Sequence, residues 1–341
     1  MKTTGSTLAA VLGLVSGATA HYTFDKLLLN DQQVGGDNTY IRRHDNGYMP
    51  IKFKESPQGS ISPLDADFAC NKGATGAPEV ITVKAGDKIG LRQAFLADGI
   101  QHPGPSQIYI SPVSDAKTDA GSGEWYKIHQ SLICRQGSPE SLRTDAWCSW
   151  NENNVWGVIP STIPNGQYLL RGEHIGLHGA HDGQAEFYVS CAQIEVTGND
   201  AAGNTIPGES TRFPGGYQPG DAAVNFSVWG RETAYPVAPG PDVIPGGTIR
   251  GSADGAGGDE LHTVPVQGGF NSDGSSSTGN DANTPSPSSS PSSSPAPTPS
   301  AAPGDGANDD GHSGKGKGKC PGAFPRRAAA LLAAKMDAQA E

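Results

Sequence analysis

At 341 residues the chain is longer than one ordinary sandwich or α/β domain needs, yet only 35% of it is hydrophobic, a low share for a chain folded throughout. Its 47 glycines and 27 prolines are concentrated after residue 200, so composition divides it into an ordered front and a low-complexity back. A formal charge of -11 excludes the basic surface that neutralises phosphates, and nucleic acid is not an expected partner.

Residues 1–20 read as a secretory signal. Lys2 gives the positive start, Leu8 to Val15 the short apolar stretch, and Ala18-Thr19-Ala20 a small-residue cleavage site that leaves His21 first in the mature chain. No later stretch approaches the ~20 apolar residues of a membrane span, so a soluble, exported, extracellular monomer without membrane contact is expected. From Tyr22 to about Ile244, short alternating or apolar runs are separated by Gly, Pro, Asn and Asp clusters, the pattern of an all-β sandwich. The predicted strands are Thr23 to Leu29, Glu79 to Val83, Lys88 to Ala94, Gln107 to Ser111, Val155 to Ile159, Gln167 to Arg171 and Ala185 to Glu195. Two long polar loops, 30–67 and 115–154, exceed what a minimal sandwich needs, and such loops on rigid scaffolds carry function.

The domain is predicted to end near residue 245, leaving 246–341 as a disordered tail. Within it 281–300 is a Pro/Ser/Thr tract that reads as an extended, O-glycosylated linker. Of five cysteines, Cys70, Cys134, Cys148 and Cys191 lie in the ordered part and are expected to pair, while Cys320 is left over in the tail. Three connectivities are open. Pairing Cys134 with Cys148 closes a ~15-residue loop worth roughly 3 kcal/mol by chain entropy and leaves Cys70 for Cys191. Asn225-Phe226-Ser227 is an acceptor sequon for N-glycosylation.

A histidine at a processed N-terminus offers one metal two nitrogens, its α-amine and its imidazole. The amine has an ordinary pKa of ~7.7–8.0, so a metal displaces its proton at modest cost. One further imidazole completes three nitrogens in a flat arrangement that suits Cu(II) better than zinc, which prefers a tetrahedron. A zinc site from His174, His178 and His181 is a weaker reading, because the flanking pattern is strand-like and a four-residue separation on a strand is ~13 Å.

Three segments resemble the family-nine lytic polysaccharide monooxygenases, fungal copper enzymes that oxidise cellulose and related glucans. They are His21 itself; His102-Pro103-Gly104-Pro105 leading into Gln107-Ile108-Tyr109-Ile110-Ser111; and Gly166 to Glu173, Gly176-Leu177-His178-Gly179-Ala180 and Phe187-Tyr188-Val189-Ser190-Cys191. The resemblance spans about 21–245 and implies an immunoglobulin-like antiparallel β-sandwich with one copper ion on a flat face. It implies His21 and His102 as copper ligands, Tyr188 as the axial tyrosine, His178 as a histidine bonding oxygen species, and a Cys70–Cys191 disulfide. The implied partners are a β-glucan polymer and an external electron donor. Tyr217, with Tyr40 and Tyr48 as further candidates, is expected to stack on sugar rings. One position departs from the family: where it carries glutamine two residues before the axial tyrosine, this chain has Glu186, with Gln184 expected on the same strand face. A non-enzymatic copper- or glycan-binding module of the same fold is the alternative, and retention of both His178 and Tyr188 favours the enzyme.

Overall fold

A computed structural model describes residues 21–54, 59–94 and 99–266. The predicted signal segment, most of the predicted tail and Cys320 lie outside the described residues. Twelve strands are present among them: β1 (Phe24–Leu29), β2 (Gln32–Val34), β3 (Ile81–Lys84), β4 (Lys88–Gln93), β5 (Ser106–Val113), β6 (Trp125–Ser131), β7 (Asn154–Val158), β8 (Gly166–Gly176), β9 (Glu186–Thr197), β10 (Ser210–Thr211), β11 (Thr248–Arg250) and β12 (Leu261–Thr263). Helical structure among the described residues is confined to three short 3-10 turns, at Ala66–Ala69, Ser141–Arg143 and Ala180–Asp182. None of this is long and apolar enough to cross a membrane.

The strands form two sheets. The smaller runs β2-β1-β4-β7, and the larger runs β12-β11-β6-β5-β8-β9-β3, with β10 also on β6. Pairing is antiparallel except between β11 and β6 and between β3 and β9. Side-chain alternation explains the packing. Ile108 and Ile110 of β5, Leu170 of β8 and Ala192 and Ile194 of β9 meet Leu27, Ile89, Leu91 and Val155 of the smaller sheet, which makes the core between the sheets. The intervening residues Tyr109, Leu169, Phe187, Val189 and Cys191 face the other way into a second core built from Phe68, Trp147, Phe213, Tyr217 and Tyr235. The large sheet is therefore covered on both faces, and β8 and β9 are buried along nearly their whole length.

That second layer corrects the reading of the long loops. Segment 115–154 holds the buried strand β6 and the core residue Trp147, so it is structural and not only a polar loop. Alternation was hidden there because β6 carries Lys127, His129, Gln130 and Ser131, all buried polar residues. His129 is satisfied by Thr248 at 2.8 Å and Ser131 at 2.9 Å. The disulfides are Cys70–Cys191 and Cys134–Cys148. The fold also runs past the predicted end at 245. Ile244 N donates to Lys127 O at 2.9 Å, and β11 then pairs beside β6 with Thr248 opposite His129. Strands of three residues such as β11 and β12 give too little periodicity to read from sequence.

Candidate metal centre

Five of the predicted site residues meet at one end of the sandwich, each delivered by a different local constraint. His21 lies three residues before the start of β1. Its neighbour Tyr22 stacks on Tyr188 with centroids 4.0 Å apart and planes 18° apart, and its hydroxyl is bonded to His174 Nδ1 at 2.6 Å. These contacts anchor the start of β1 and hold His21 at the rim, its side chain 41% exposed.

His102 lies on the approach to β5. Gly104 adopts φ +152, and a Cβ there would fall 1.8 Å from Ile175 O, so only glycine lets this loop lie against the end of β8. Leu177 N donates to Pro103 O at 2.7 Å and Ile175 N to Pro105 O at 3.0 Å, fixing the loop in place. His178 stands just beyond β8, its ring 4.9 Å from that of His102. His174, in contrast, is buried within β8, and burial takes its pKa down to about 3. His181 is exposed on the turn after His178, so the three histidines do not form a cluster.

Glu186 opens β9, opposite Gly176, and Tyr188 follows opposite His174. Phe187 between them points into the second core, which sends both neighbours to the other face. Gln184 lies before β9 and not on the strand as expected, its N–H donating to Gly179 O at 3.0 Å.

The Glu186 carboxylate is the hub. Its Oε2 accepts from Tyr188 at 2.6 Å and lies 3.3 Å from His102 Nε2. Its Oε1 is 2.7 Å from Lys52 Nζ, 3.5 Å from His178 Nε2 and 4.0 Å from His21 Nε2. Burial alone would push this carboxyl up, but hydrogen bonds from His102, His178, Lys52 and Tyr188 together outweigh it and hold the carboxyl well below the usual carboxylate range. Burial, and then the neighbouring Tyr22 and Glu186, hold the Tyr188 phenol well above its ordinary pKa.

The donor set suits a transition metal favouring nitrogen. The rings of His21 and His102 are 6.4 Å apart, each lies within 6.5 Å of the Tyr188 ring, and Tyr188 Oη is 3.4 Å from His102 Nε2. One ligand atom each from His102, His178 and Glu186 also lies within 4.8 Å of the others.

Two functional candidates escaped the sequence reading. Lys52 sits beside Ile51, whose two backbone bonds with Phe187 bring it next to Glu186; nothing in the sequence links positions 52 and 186. Trp229 is 54% exposed, donates its indole N–H to His178 O at 2.7 Å, and has the Arg143 guanidinium 5.6 Å from its ring. An exposed tryptophan beside the histidine cluster could be found only from the fold. Tyr217, expected on the surface, is 1% exposed, and its hydroxyl donates to Glu173 at 2.6 Å, which makes it a core residue. Tyr48 is exposed and Tyr40 half-buried.

Comparison with known proteins points the same way. Residues 21–235 match the model of Auxiliary Activity family 9. The chain is 42% identical over 262 residues to "AA9 family lytic polysaccharide monooxygenase D" of Emericella nidulans, covering 75% of this chain and 86% of that protein. It is 42% identical over 252 residues to "AA9 family lytic polysaccharide monooxygenase A" of Aspergillus fumigatus, covering 72% and 84%. Among solved structures it is similar to a cellulose-active polysaccharide monooxygenase from M. thermophila, with TM-score 0.53 and 25% identity over 67% of this chain and all of that one.

Proposed function

The chain belongs to Auxiliary Activity family 9, and from that premise we propose that it is a secreted enzyme cleaving cellulose or related β-glucans oxidatively on one copper ion held by His21 and His102. Enzymes of this family are copper-dependent oxidoreductases that act on polysaccharides with an external reductant. The observation that carries the proposal is the convergence of His21, His102 and Tyr188 at the rim, with the residue that processing would make N-terminal on the open side.

When bound, copper supplies the one-electron chemistry that activates dioxygen or hydrogen peroxide. The protein's own groups do the rest. His21 offers its imidazole and, once the signal segment is removed, its α-amine. Tyr22 stacks on Tyr188 and so holds its neighbour His21 at the rim, positioning the ligands before metal arrives. Tyr188 keeps its proton and gives it to Glu186 as a hydrogen bond, leaving its oxygen directed at the histidines. His178, with a side chain 37% exposed, presents its imidazole to the solvent side of the cluster, where it can bond an oxygen species. Trp229 supplies a flat apolar surface next to His178 on which a sugar ring of an extended polymer can rest.

The test is incubation of processed protein with cellulose, copper and ascorbate, followed by mass spectrometry of the soluble fraction. Oxidised oligosaccharides that require all three additions are expected. Copper binding without oxidised product would leave a binding module in place of an enzyme.

A further inference from the structure

Glu186 replaces a neutral amide with a charge at the position where the family resemblance implies glutamine, and a buried charge without compensation is costly. The structure contains a compensating group. Lys52 Nζ lies 2.7 Å from Glu186 Oε1, with the lysine side chain 17% exposed and the glutamate 3%. This contact is built in by backbone pairing: Ile51 and Phe187 exchange hydrogen bonds of 3.0 and 2.9 Å, and both side chains enter the core, so Lys52 and Glu186 share the opposite face.

The other partners of Glu186 are of a different kind. A ring nitrogen that gives its lone pair to a metal carries no proton there, so His102 cannot both ligate through Nε2 and donate to the carboxylate through it. Tyr188 and Lys52 keep their protons. Oε2 is then held by the phenol and Oε1 by the ammonium, with His178 Nε2 farther from Oε1 at 3.5 Å, and of the two nearer donors only Lys52 brings a compensating charge.

We propose that Lys52 is a positioning residue, forming with Glu186 a neutral ion pair that takes the place of an amide beside the metal and keeps the carboxylate turned toward Tyr188. This rests on the copper reading above in one respect only, the readout at the metal. The charge pairing itself is testable without metal.

In copper-free protein, where the His102 and His178 imidazoles also face Glu186 at 3.3 and 3.5 Å, Lys52→Met and Glu186→Gln should each still lower Tm by about 3 °C or more, because each removes a close charged partner of the other. The double variant should be more stable than the less stable single one, and Lys52→Arg should stay close to the unaltered protein. Losses that simply add in the double variant would overturn the pairing. In copper-loaded protein the reduction potential is the second readout. Lys52→Met leaves an extra negative charge and should lower it, Glu186→Gln leaves an extra positive charge and should raise it, and the double variant should return near the starting value. Shifts of the same sign, or none in either single variant, would overturn the compensating role. Failure of the unaltered protein to bind copper would instead remove the metal reading and leave the stability test standing.

Discussion

Removing the Trp229 indole should weaken glucan binding about tenfold to twentyfold while leaving the ligand cluster intact. A tryptophan side chain presents about 250 Å², so 54% exposure leaves roughly 135 Å² in water, of which a sugar lying on one ring face covers about half. At about 25 cal/mol per Å² the covered area contributes ~1.7 kcal/mol, between tenfold and twentyfold in affinity. Trp229→Ala also removes the bond to His178 O, a net loss of about 1 kcal/mol or less at an exposed site, so Tm should change little. Trp229→Phe separates the two effects, because it keeps a flat face and loses the indole donor. The assay is a binding isotherm on cellulose and on a soluble β-glucan oligomer, with copper content measured in parallel. Full affinity in the alanine variant at unchanged copper loading would refute the stacking argument and move the polymer path away from this loop.

Protein retaining one residue before His21 should lose tight Cu(II) binding by calorimetry and release no oxidised product, because the α-amine is no longer free. His102→Ala should do the same, whereas Tyr188→Phe should keep copper but change its electron paramagnetic resonance spectrum, since the phenol 3.4 Å from His102 Nε2 is lost. Truncation after Ile244 should lower Tm by removing β11, β12 and the Arg250–Glu152 ion pair of 2.6 Å; ending the chain after Val266 should leave Tm nearly unchanged. His129 is held neutral by burial with its pKa pushed down to about 3 from 6.5, so the unfolded chain binds the extra proton between those values. Its contribution to stability is complete above pH 6.5 and is lost as pH falls toward 3, at up to about 1.4 kcal/mol per pH unit; His129→Gln should flatten that part of a Tm against pH curve.

The sandwich was legible where a strand alternates against one core, as in Lys88 to Ala94, and where apolar residues are dense on both faces of a strand, as in Gln107 to Ser111 and in Phe187 to Val189 of β9. It was illegible in β6, whose buried face is made of lysine, histidine, glutamine and serine that satisfy one another only in three dimensions. The histidine cluster was legible because His21 and His102 carry local signatures, a cleavage site and a Pro-Gly-Pro strand entry. Lys52 and Trp229 carry none, since their relevance comes from a strand bridge to Phe187 and from a bond to a carbonyl. Tyr217 misled for the converse reason: a tyrosine in a Gly-rich loop reads as exposed until the loop is seen to form the cover of the large sheet.

The segment after β11 packs against a disulfide. A Cβ at Gly251 would lie 2.7 Å from Cys148 Sγ and 2.4 Å from Ile133 O, and Arg250 O is 3.6 Å from the same sulfur. Because a ribosome delivers the chain from its N-terminus, Cys134 and Cys148 emerge about a hundred residues before this cover does. An oxidant can therefore reach both thiols while the nascent chain is still growing. Once residues 248–255 have joined β6, a reductant approaching Cys148 must first peel that segment away. The last stretch of the domain to be synthesised thus shields one sulfur of a covalent link formed earlier, while the half-buried Cys134 leaves the other side open to exchange.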